Sequence, residues 1–133
     1  MRTVLITGVS TGIGKSIALK LLEDNFYVIG SVRKAEDSSE LESQYPNKFK
    51  SLIFDVTNKE DIYNSVSIVK EFLEQKKSYL CSVVNNAGIA IGGPLRYLDI
   101  EIYKKQFDVN FFGLINVTKA FLDLLIESNN YPL

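Results

Sequence analysis

A glycine-rich stretch near the start of the chain is the feature most able to do chemistry. Residues 5–18 read LITGVSTGIGKSIA, with Gly8, Gly12 and Gly14 lying between an apolar run and a helical pattern. A turn of this kind places backbone N–H groups and the positive end of a helix dipole where they bind phosphate groups. Two unrelated classes of nucleotide-binding loop fit this description, and the spacing of the glycines distinguishes them.

The first class is the P-loop, G-x-x-x-x-G-K-[ST], whose ending is present as Gly14-Lys15-Ser16. The motif requires its first glycine at position 9, where this chain has Val9. Because the backbone of a P-loop curls around one phosphate, its length is fixed, and an extra residue breaks the curl. The spacing therefore disfavours the P-loop, although the strand-like SLIFD ending in Asp55 imitates the magnesium-holding segment of that class.

The second class is the dinucleotide-binding turn. The chain has Thr7-Gly8-x-x-x-Gly12-x-Gly14, a spacing related to the usual G-x-G-x-x-G. One glycine turns tightly out of the strand, one lets the backbone approach a pyrophosphate, and one lets helix and strand pack closely. A purely structural turn is the alternative, because any strand-to-helix connection tolerates glycine.

The elements around this turn alternate between strand and helix patterns. Apolar runs predict strands at 2–7, 27–32, 49–54 and 80–84, and helical patterns occur at 14–25, 36–45, from Thr57 onward and at 99–127. Thr57 is expected to cap its helix, with Glu60 completing a capping box. The alternation predicts an α/β fold, a truncated Rossmann-type doubly wound parallel sheet with strand order 3-2-1-4. No repeat or linker divides residues 1–133, so we expect a single domain.

Composition and charge exclude several classes of partner. The net charge is −1 without blocks of like charge, so nucleic acid and anionic membranes are not expected partners. The longest apolar stretch, at 111–126, is interrupted by Asn116, Lys119 and Asp123, which argues against a membrane span. With no histidine and one cysteine, Cys81, the chain offers no histidine base, histidine metal ligand or internal disulfide. The N-terminus lacks a secretory pattern, so we expect a cytoplasmic protein that binds no metal.

Four motifs occur together in an order typical of one enzyme family. They are TGVSTGIG at 7–14, FDV at 54–56, NNAG at 85–88 and FDVNFFG at 107–113. By these motifs the chain resembles the short-chain dehydrogenases/reductases over residues 3–133. The resemblance implies an oxidoreductase that transfers a hydride between a nicotinamide cofactor and a small carbonyl or alcohol substrate.

The resemblance also implies roles for individual residues. Asp55 is expected to accept a hydrogen bond from the adenine amino group, and Asn86 to tie neighbouring strands together. Asn110, expected to be buried among apolar neighbours, is the implied catalytic residue: it distorts its helix, and its main-chain carbonyl holds a water of the proton relay. Each of these two residues has an alternative structural role. Asp55 could simply be an acidic residue at the entry to a helix, and Asn110 a core asparagine whose side chain is hydrogen-bonded to the backbone. The expected cofactor-binding residues are Thr7, Gly8, Ser10, Thr11, Gly12, Ile13, Gly14, Arg33, Lys34, Asp55, Val56, Asn86, Ala87 and Gly88.

The end of the second strand indicates which cofactor is bound. An acidic residue there binds the ribose 2′-hydroxyl of NAD, whereas an arginine accommodates the 2′-phosphate of NADP. Val32 stands where NAD-type members of the family carry the acid, and Arg33, followed by Lys34, offers a planar fork for phosphate. Ser31 is expected to add a hydroxyl donor. We therefore favour NADP over NAD, the alternative being two solvated charges at a strand end.

One further family motif, Tyr-x-x-x-Lys with a serine upstream, does not occur, because none of the seven tyrosines has a lysine four residues later. We therefore expect an incomplete domain that is inactive alone. The alternative is a non-catalytic nucleotide-binding fragment or interaction module from a split or degenerate gene. A second apolar stripe on the last helix predicts homo-oligomer contacts. The apolar edge at 80–84 predicts a marginally stable chain that self-associates.

Overall fold

The fold alternates strands and helices, and the computed structural model describes residues 1–128. The strands are β1 (Arg2–Thr7), β2 (Tyr27–Val32), β3 (Phe49–Ile53) and β4 (Tyr79–Val84); the helices are α1 (Gly12–Glu23), α2 (Ser39–Gln44), α3 (Lys59–Lys76), α4 (Ile100–Phe107) and α5 (Leu114–Glu127). A 3-10 turn, Ala35–Ser38, precedes α2, and a π-helical segment, Asp108–Gly113, joins α4 to α5. Each predicted element is confirmed with its ends shifted by a few residues at most. The expectations that reach 129–133, including Tyr131, lie outside the described residues.

The four strands form one parallel sheet in the order β3-β2-β1-β4, which confirms the predicted order. All three pairings are parallel, and in the central pair Val4 lies opposite Val28 and Leu5 opposite Ile29. Parallel strands bring their carboxyl ends to one edge of the sheet. The loops that follow the strands meet at that edge, where open α/β sheets bind their ligands.

Helices cover both faces of the sheet. On one face Leu5 packs in a buried cluster with Val69 of α3 and Phe121 of α5. On the other face Ile6 packs with Leu22 of α1. Each of these side chains is at most 1% exposed, and burying one contributes about 1.5–3 kcal/mol. Because both faces are covered, the two central strands β1 and β2 are nearly continuous apolar runs rather than alternating patterns.

Two local predictions are wrong at the entry to α3. The helix begins at Lys59, and its cap is Asn58, whose side chain accepts from the backbone N–H of Asp61 at 3.1 Å. Thr57 therefore does not cap α3, and Glu60 does not pair with it. Thr57 instead donates to the carboxylate of Asp55. A charged carboxylate is a stronger acceptor than the alternatives in this turn, so it engages the Thr57 hydroxyl and the cap moves one residue along the chain.

The helical run Ile100–Glu127 is apolar on more than one side. Its 28 residues and a mean hydropathy of 1.5 in the most apolar window would suffice to cross a membrane by length and composition. In the fold, Val117 and Phe121 are fully buried against the sheet, but only 22% of that window is buried. Phe111 and Phe112 are 51% and 53% exposed, so the predicted second apolar stripe is present on the surface.

Candidate functional site

A cleft of about 550 Å³ opens at the carboxyl edge of the sheet. It is formed by the turn after β1, the ends of β2 and β3, the loop after β4, and side chains from α4 and the π-helical segment. The predicted residues that line it are Gly8, Ser10, Thr11, Arg33, Asp55, Val56, Asn86, Ala87 and Gly88. The predicted residues that do not line it are Thr7, Gly12, Ile13, Gly14, Lys34 and Asn110.

Thr7 and Asn86 join the turn after β1 to the loop after β4. The Oγ1 of Thr7 accepts from the backbone N–H groups of Asn86 and Ala87, both at 3.0 Å. The side-chain amide of Asn86 donates to the carbonyl oxygens of Thr7 at 3.0 Å and Gly8 at 2.9 Å. We call these four hydrogen bonds the β1–β4 latch. Asn86 ties the strands as expected. Thr7 is only 1% exposed and does not line the cleft, but its hydrogen bonds position Asn86 and Ala87, which do.

The glycine turn requires glycine at Gly8 and Gly14 for different reasons. Gly8 has a φ of +73°, in the left-handed region that side chains disfavour. At Gly14, an added Cβ would lie 2.1 Å from the carbonyl oxygen of Gly8 and 2.3 Å from Nδ2 of Asn86. No side chain fits there, because α1 begins so close to the latch. Gly14 therefore sets the distance between the helix N-terminus and the sheet.

Ser31 has a role that sequence reasoning missed. It is 2% exposed, and its Oγ accepts from the backbone N–H of Gly8 at 3.2 Å. Its carbonyl oxygen accepts from the N–H groups of Gly8 and Val9, both at 3.1 Å. Ser31 also lines the cleft, so it anchors the glycine turn in addition to the expected role as a hydroxyl donor, which stays a prediction. The available signal was a serine near the end of an otherwise apolar strand, YVIGSV.

Asp55 lies in the cleft just beyond β3. Its Oδ1 accepts from the backbone N–H of Thr57 at 2.9 Å and from the Thr57 hydroxyl at 2.7 Å. Its Oδ2 accepts no hydrogen bond from residues 1–128. Partial burial by itself raises the pKa of this carboxyl, but the Thr57 hydrogen bonds and the charges of Arg33 and Lys105 outweigh burial and lower the pKa below its ordinary value. Asp55 thus serves the local turn with one oxygen and keeps an ionised acceptor open with the other.

The cations of the cleft come from opposite walls. Arg33 extends from the end of β2 and Lys105 from α4, and both line the cleft. Both charges lower the pKa of Asp55, so they act on the same region. Lys34 is exposed outside the lining, whereas Asp37 from the 3-10 turn adds a carboxylate to the wall. Lys105 and Asp37 were not predicted as residues of the site, because no sequence pattern shows that α4 and the 3-10 turn reach the carboxyl edge of the sheet.

The prediction that Asn110 is buried among apolar neighbours is wrong. Asn110 is exposed, because the helix carries it beside the loop after β4 instead of into the core. Its Oδ1 accepts from the backbone N–H of Ile89 at 2.8 Å, and its Nδ2 donates to the carbonyl oxygen of Ile89 at 2.7 Å. The helix around it is π-helical over Asp108–Gly113, which is the distortion that the family resemblance implies.

A second cavity of about 540 Å³ lies at the amino-terminal edge of the sheet, between the ends of α3 and α5. Its lining includes Lys70, Glu74, Lys77 and Glu127, charges of both signs. It contains none of the four motifs and lies away from the carboxyl ends of the strands, where ligands of such sheets bind. We therefore place the candidate site in the cleft at the carboxyl edge.

Comparison with known proteins identifies the family. A sequence profile of the family described as short chain dehydrogenase matches residues 2–130. The chain belongs to the short-chain dehydrogenase family. Because the match spans nearly the whole chain, the assignment made from four short motifs is confirmed, and the fold agrees with it.

Several short-chain dehydrogenases resemble the chain closely. The NADPH-dependent 3-dehydrocapnine reductase of Ornithobacterium rhinotracheale is 42% identical over 125 residues, which are 94% of this chain and 44% of the relative. The NADPH-dependent 1-acyldihydroxyacetone phosphate reductase of Schizosaccharomyces pombe is 36% identical over 126 residues, 94% of this chain and 40% of the relative. The NADPH-bound carbonyl reductase from chicken fatty liver superposes with a TM-score of 0.86 at 26% identity, over 96% of this chain and 53% of its own. The chain thus spans about half the length of the proteins it matches.

The cleft fits the dinucleotide that the family implies. The Gly14 position has no space for a Cβ, so the N–H groups at the start of α1 stay close to the glycine turn, where dinucleotide-binding folds place the pyrophosphate. Oδ2 of Asp55 is open as an acceptor for an amino group. Arg33 supplies a cation at the end of β2, where the ribose of such ligands lies.

Proposed function

We propose that this chain is the cofactor-binding part of an NADP-dependent short-chain oxidoreductase. The observation that carries the proposal is the end of β2, where Arg33 lines the cleft and Val32, 3% exposed, occupies the place of an acid that would bind NAD. Arginine presents a planar fork that suits phosphate. The NADPH dependence named for two relatives supports the same choice.

The strand order gives the cofactor a direction. Its adenosine end belongs at β3 and β2, where Asp55 offers Oδ2 to the adenine amino group and Arg33 meets the 2′-phosphate. The pyrophosphate belongs at the glycine turn after β1, against the N–H groups at the start of α1. The nicotinamide half then lies at the loop after β4, lined by Ala87, Gly88 and Ile89.

The bound cofactor supplies a hydride, and the residues of this chain bind and orient it. The substrate we propose is a small carbonyl or alcohol compound, converted in the cytoplasm. Asn110 shapes the loop after β4 and, by the family resemblance, directs its main-chain carbonyl to a water that moves the substrate proton. We also propose that the exposed apolar side of α5 forms contacts between copies of the chain.

Calorimetric titration with NADPH and NADH tests the cofactor assignment. The wild-type chain should bind NADPH more tightly, and Arg33→Ala should weaken NADPH binding by about 1–3 kcal/mol, or about five- to 150-fold, while sparing NADH. Arg96→Ala removes an exposed arginine outside the cleft and should change neither affinity. Equal binding of the two nucleotides by the wild-type chain would refute the assignment.

A second candidate is nucleotide binding without turnover, favoured by the lack of any tyrosine paired with a lysine four residues later. Its test is NADPH oxidation, followed by absorbance, with a panel of carbonyl substrates and the 133-residue chain. We expect binding and no oxidation above background, because general acid–base help worth about 10²–10⁴-fold has no assigned donor. Turnover that survives Asn110→Ala would contradict this account.

A further inference from the structure

Two side-chain amides on one side of the long helical run hold the loop after β4. Asn110 exchanges two hydrogen bonds with the backbone of Ile89. Gln106 does the same with Ile91: its Oε1 accepts from the Ile91 N–H at 3.0 Å, and its Nε2 donates to the Ile91 carbonyl oxygen at 3.0 Å. We call this pair of contacts the amide clamp. Each amide closes a ring with one residue, as a neighbouring strand would.

The spacing of the clamp matches the geometry of the two segments. Gln106 and Asn110 are four residues apart on a helical run, a step of about 6 Å in an α-helix and no longer than that here, where the run is π-helical from Asp108. Ile89 and Ile91 are two residues apart in the loop, a step that spans at most about 6.6 Å. A step of this size can match the spacing of the two amides on the helix. The helix therefore presents its amides in register with alternate residues of the loop.

The clamp supplies order where secondary structure does not. No backbone–backbone hydrogen bond holds residues 88–92 to any other part of residues 1–128. Gly88 and Ile89 nevertheless line the cleft, at the end opposite Arg33 in the strand order. Gln106 and Asn110 do not line it. Gln106 can act on a ligand only through the loop that it holds.

We propose that Gln106 is a positioning residue that fixes the loop after β4 against the nicotinamide half of the cofactor. This inference rests on the proposed function and adds a residue outside the cleft to it. Without Gln106, the N–H and carbonyl of Ile91 are released, and among residues 1–128 only Asn110 still bonds to the part of the loop at 88–92, at Ile89. Binding must then order residues 90–92, which reduces the affinity for the half of the ligand that touches this loop. The adenosine half, bound at β2 and β3, is unaffected.

The test compares NADPH with adenosine 2′,5′-bisphosphate, which carries the adenosine half and no nicotinamide. Gln106→Ala should weaken NADPH binding by about three- to tenfold and leave the bisphosphate affinity unchanged. Gln106→Glu, of the same shape, keeps the acceptor but loses the donor to Ile91, and should change affinity in the same direction. Gln75→Ala is the matched control, because Gln75 is exposed on the outer side of α3 and bonds only to Glu71 among the described residues.

The outcomes separate the two levels of the proposal. If the wild-type chain binds neither ligand, the proposed function is refuted. If it binds both and the Gln106 variants keep the wild-type ratio of affinities, the inference about Gln106 alone is refuted. Equal loss of both ligands would also refute it, because it would show a role in folding. Hydrogen exchange gives an independent readout: the Ile91 amide should exchange faster in Gln106→Ala while the Ile89 amide stays protected, and an unchanged Ile91 rate would overturn the proposal.

Discussion

Replacing Gly14 with alanine should disrupt the β1–β4 latch more than any other single methyl group added to the glycine loops. The new Cβ would lie 2.1 Å from the carbonyl oxygen of Gly8, about 1.3 Å inside ordinary contact. It would also lie 2.3 Å from Nδ2 of Asn86, the donor of two latch hydrogen bonds. Neither neighbour can move away freely, because the first is backbone and the second is bonded to that backbone.

The magnitude follows from two costs. Forcing a methyl group into a closely packed site costs about 1–3 kcal/mol, and losing one or two hydrogen bonds adds about 0.5–1.5 kcal/mol each. We therefore expect Gly14→Ala to lower the free energy of unfolding by about 1.5–6 kcal/mol, a large part of the ~5–15 kcal/mol typical of a domain. Cofactor affinity should fall with it, because α1 can no longer approach the turn.

Urea unfolding followed by circular dichroism measures the loss, and Gly92→Ala provides the control. A Cβ at Gly92 meets nothing within 4 Å, so that variant should unfold within about 0.5 kcal/mol of the wild type. If Gly14→Ala and Gly92→Ala unfold at the same urea concentration, the reasoning that places α1 against the latch is wrong.

Three further predictions concern other parts of the molecule. Thr7→Val leaves two latch N–H groups without their acceptor and should lower the free energy of unfolding in urea by about 2 kcal/mol or more. Thr3→Val removes one hydroxyl–hydroxyl hydrogen bond and should lower it by less. A larger loss in Thr3→Val than in Thr7→Val would refute the role given to the latch. Folding lowers the pKa of Asp55 from 3.8, so its carboxylate stabilises the fold above that pH, and the contribution is lost as the pH falls through the lowered pKa of the folded state. The melting temperature of Asp55→Asn should therefore fall less than that of the wild type between pH 6 and pH 3, and parallel losses would contradict the assignment. The purified chain should self-associate when its mass is measured by sedimentation. Leu122→Lys, on the exposed side of α5, should reduce the self-association more than Ile53→Lys on the edge strand β3. A wild-type chain that is monomeric and melts sharply would contradict this prediction.

The pattern of apolar and polar residues along the chain was sufficient to predict the fold. The apolar runs at β1 and β2 and the helical patterns between strands are properties of consecutive residues, and the rules of parallel sheets convert them into the order β3-β2-β1-β4. The glycine turn could also be predicted, because the conformation of Gly8 and the crowding at Gly14 leave no other residue type. The family followed from four motifs whose order along the chain is itself sequence information.

The tertiary structure alone decided how polar side chains are used. Ser31 lines the cleft, and its Oγ also anchors the glycine turn by accepting from the N–H of Gly8. Thr57 donates to Asp55 instead of capping α3. Asn110, surrounded in the sequence by apolar residues, lies exposed and holds the backbone of Ile89. Hydrophobic periodicity is set by neighbours a few residues away, so the sequence determines it. A hydrogen-bond partner 21 or 23 residues away along the chain is set by how the elements pack, and only the folded chain brings the two atoms together.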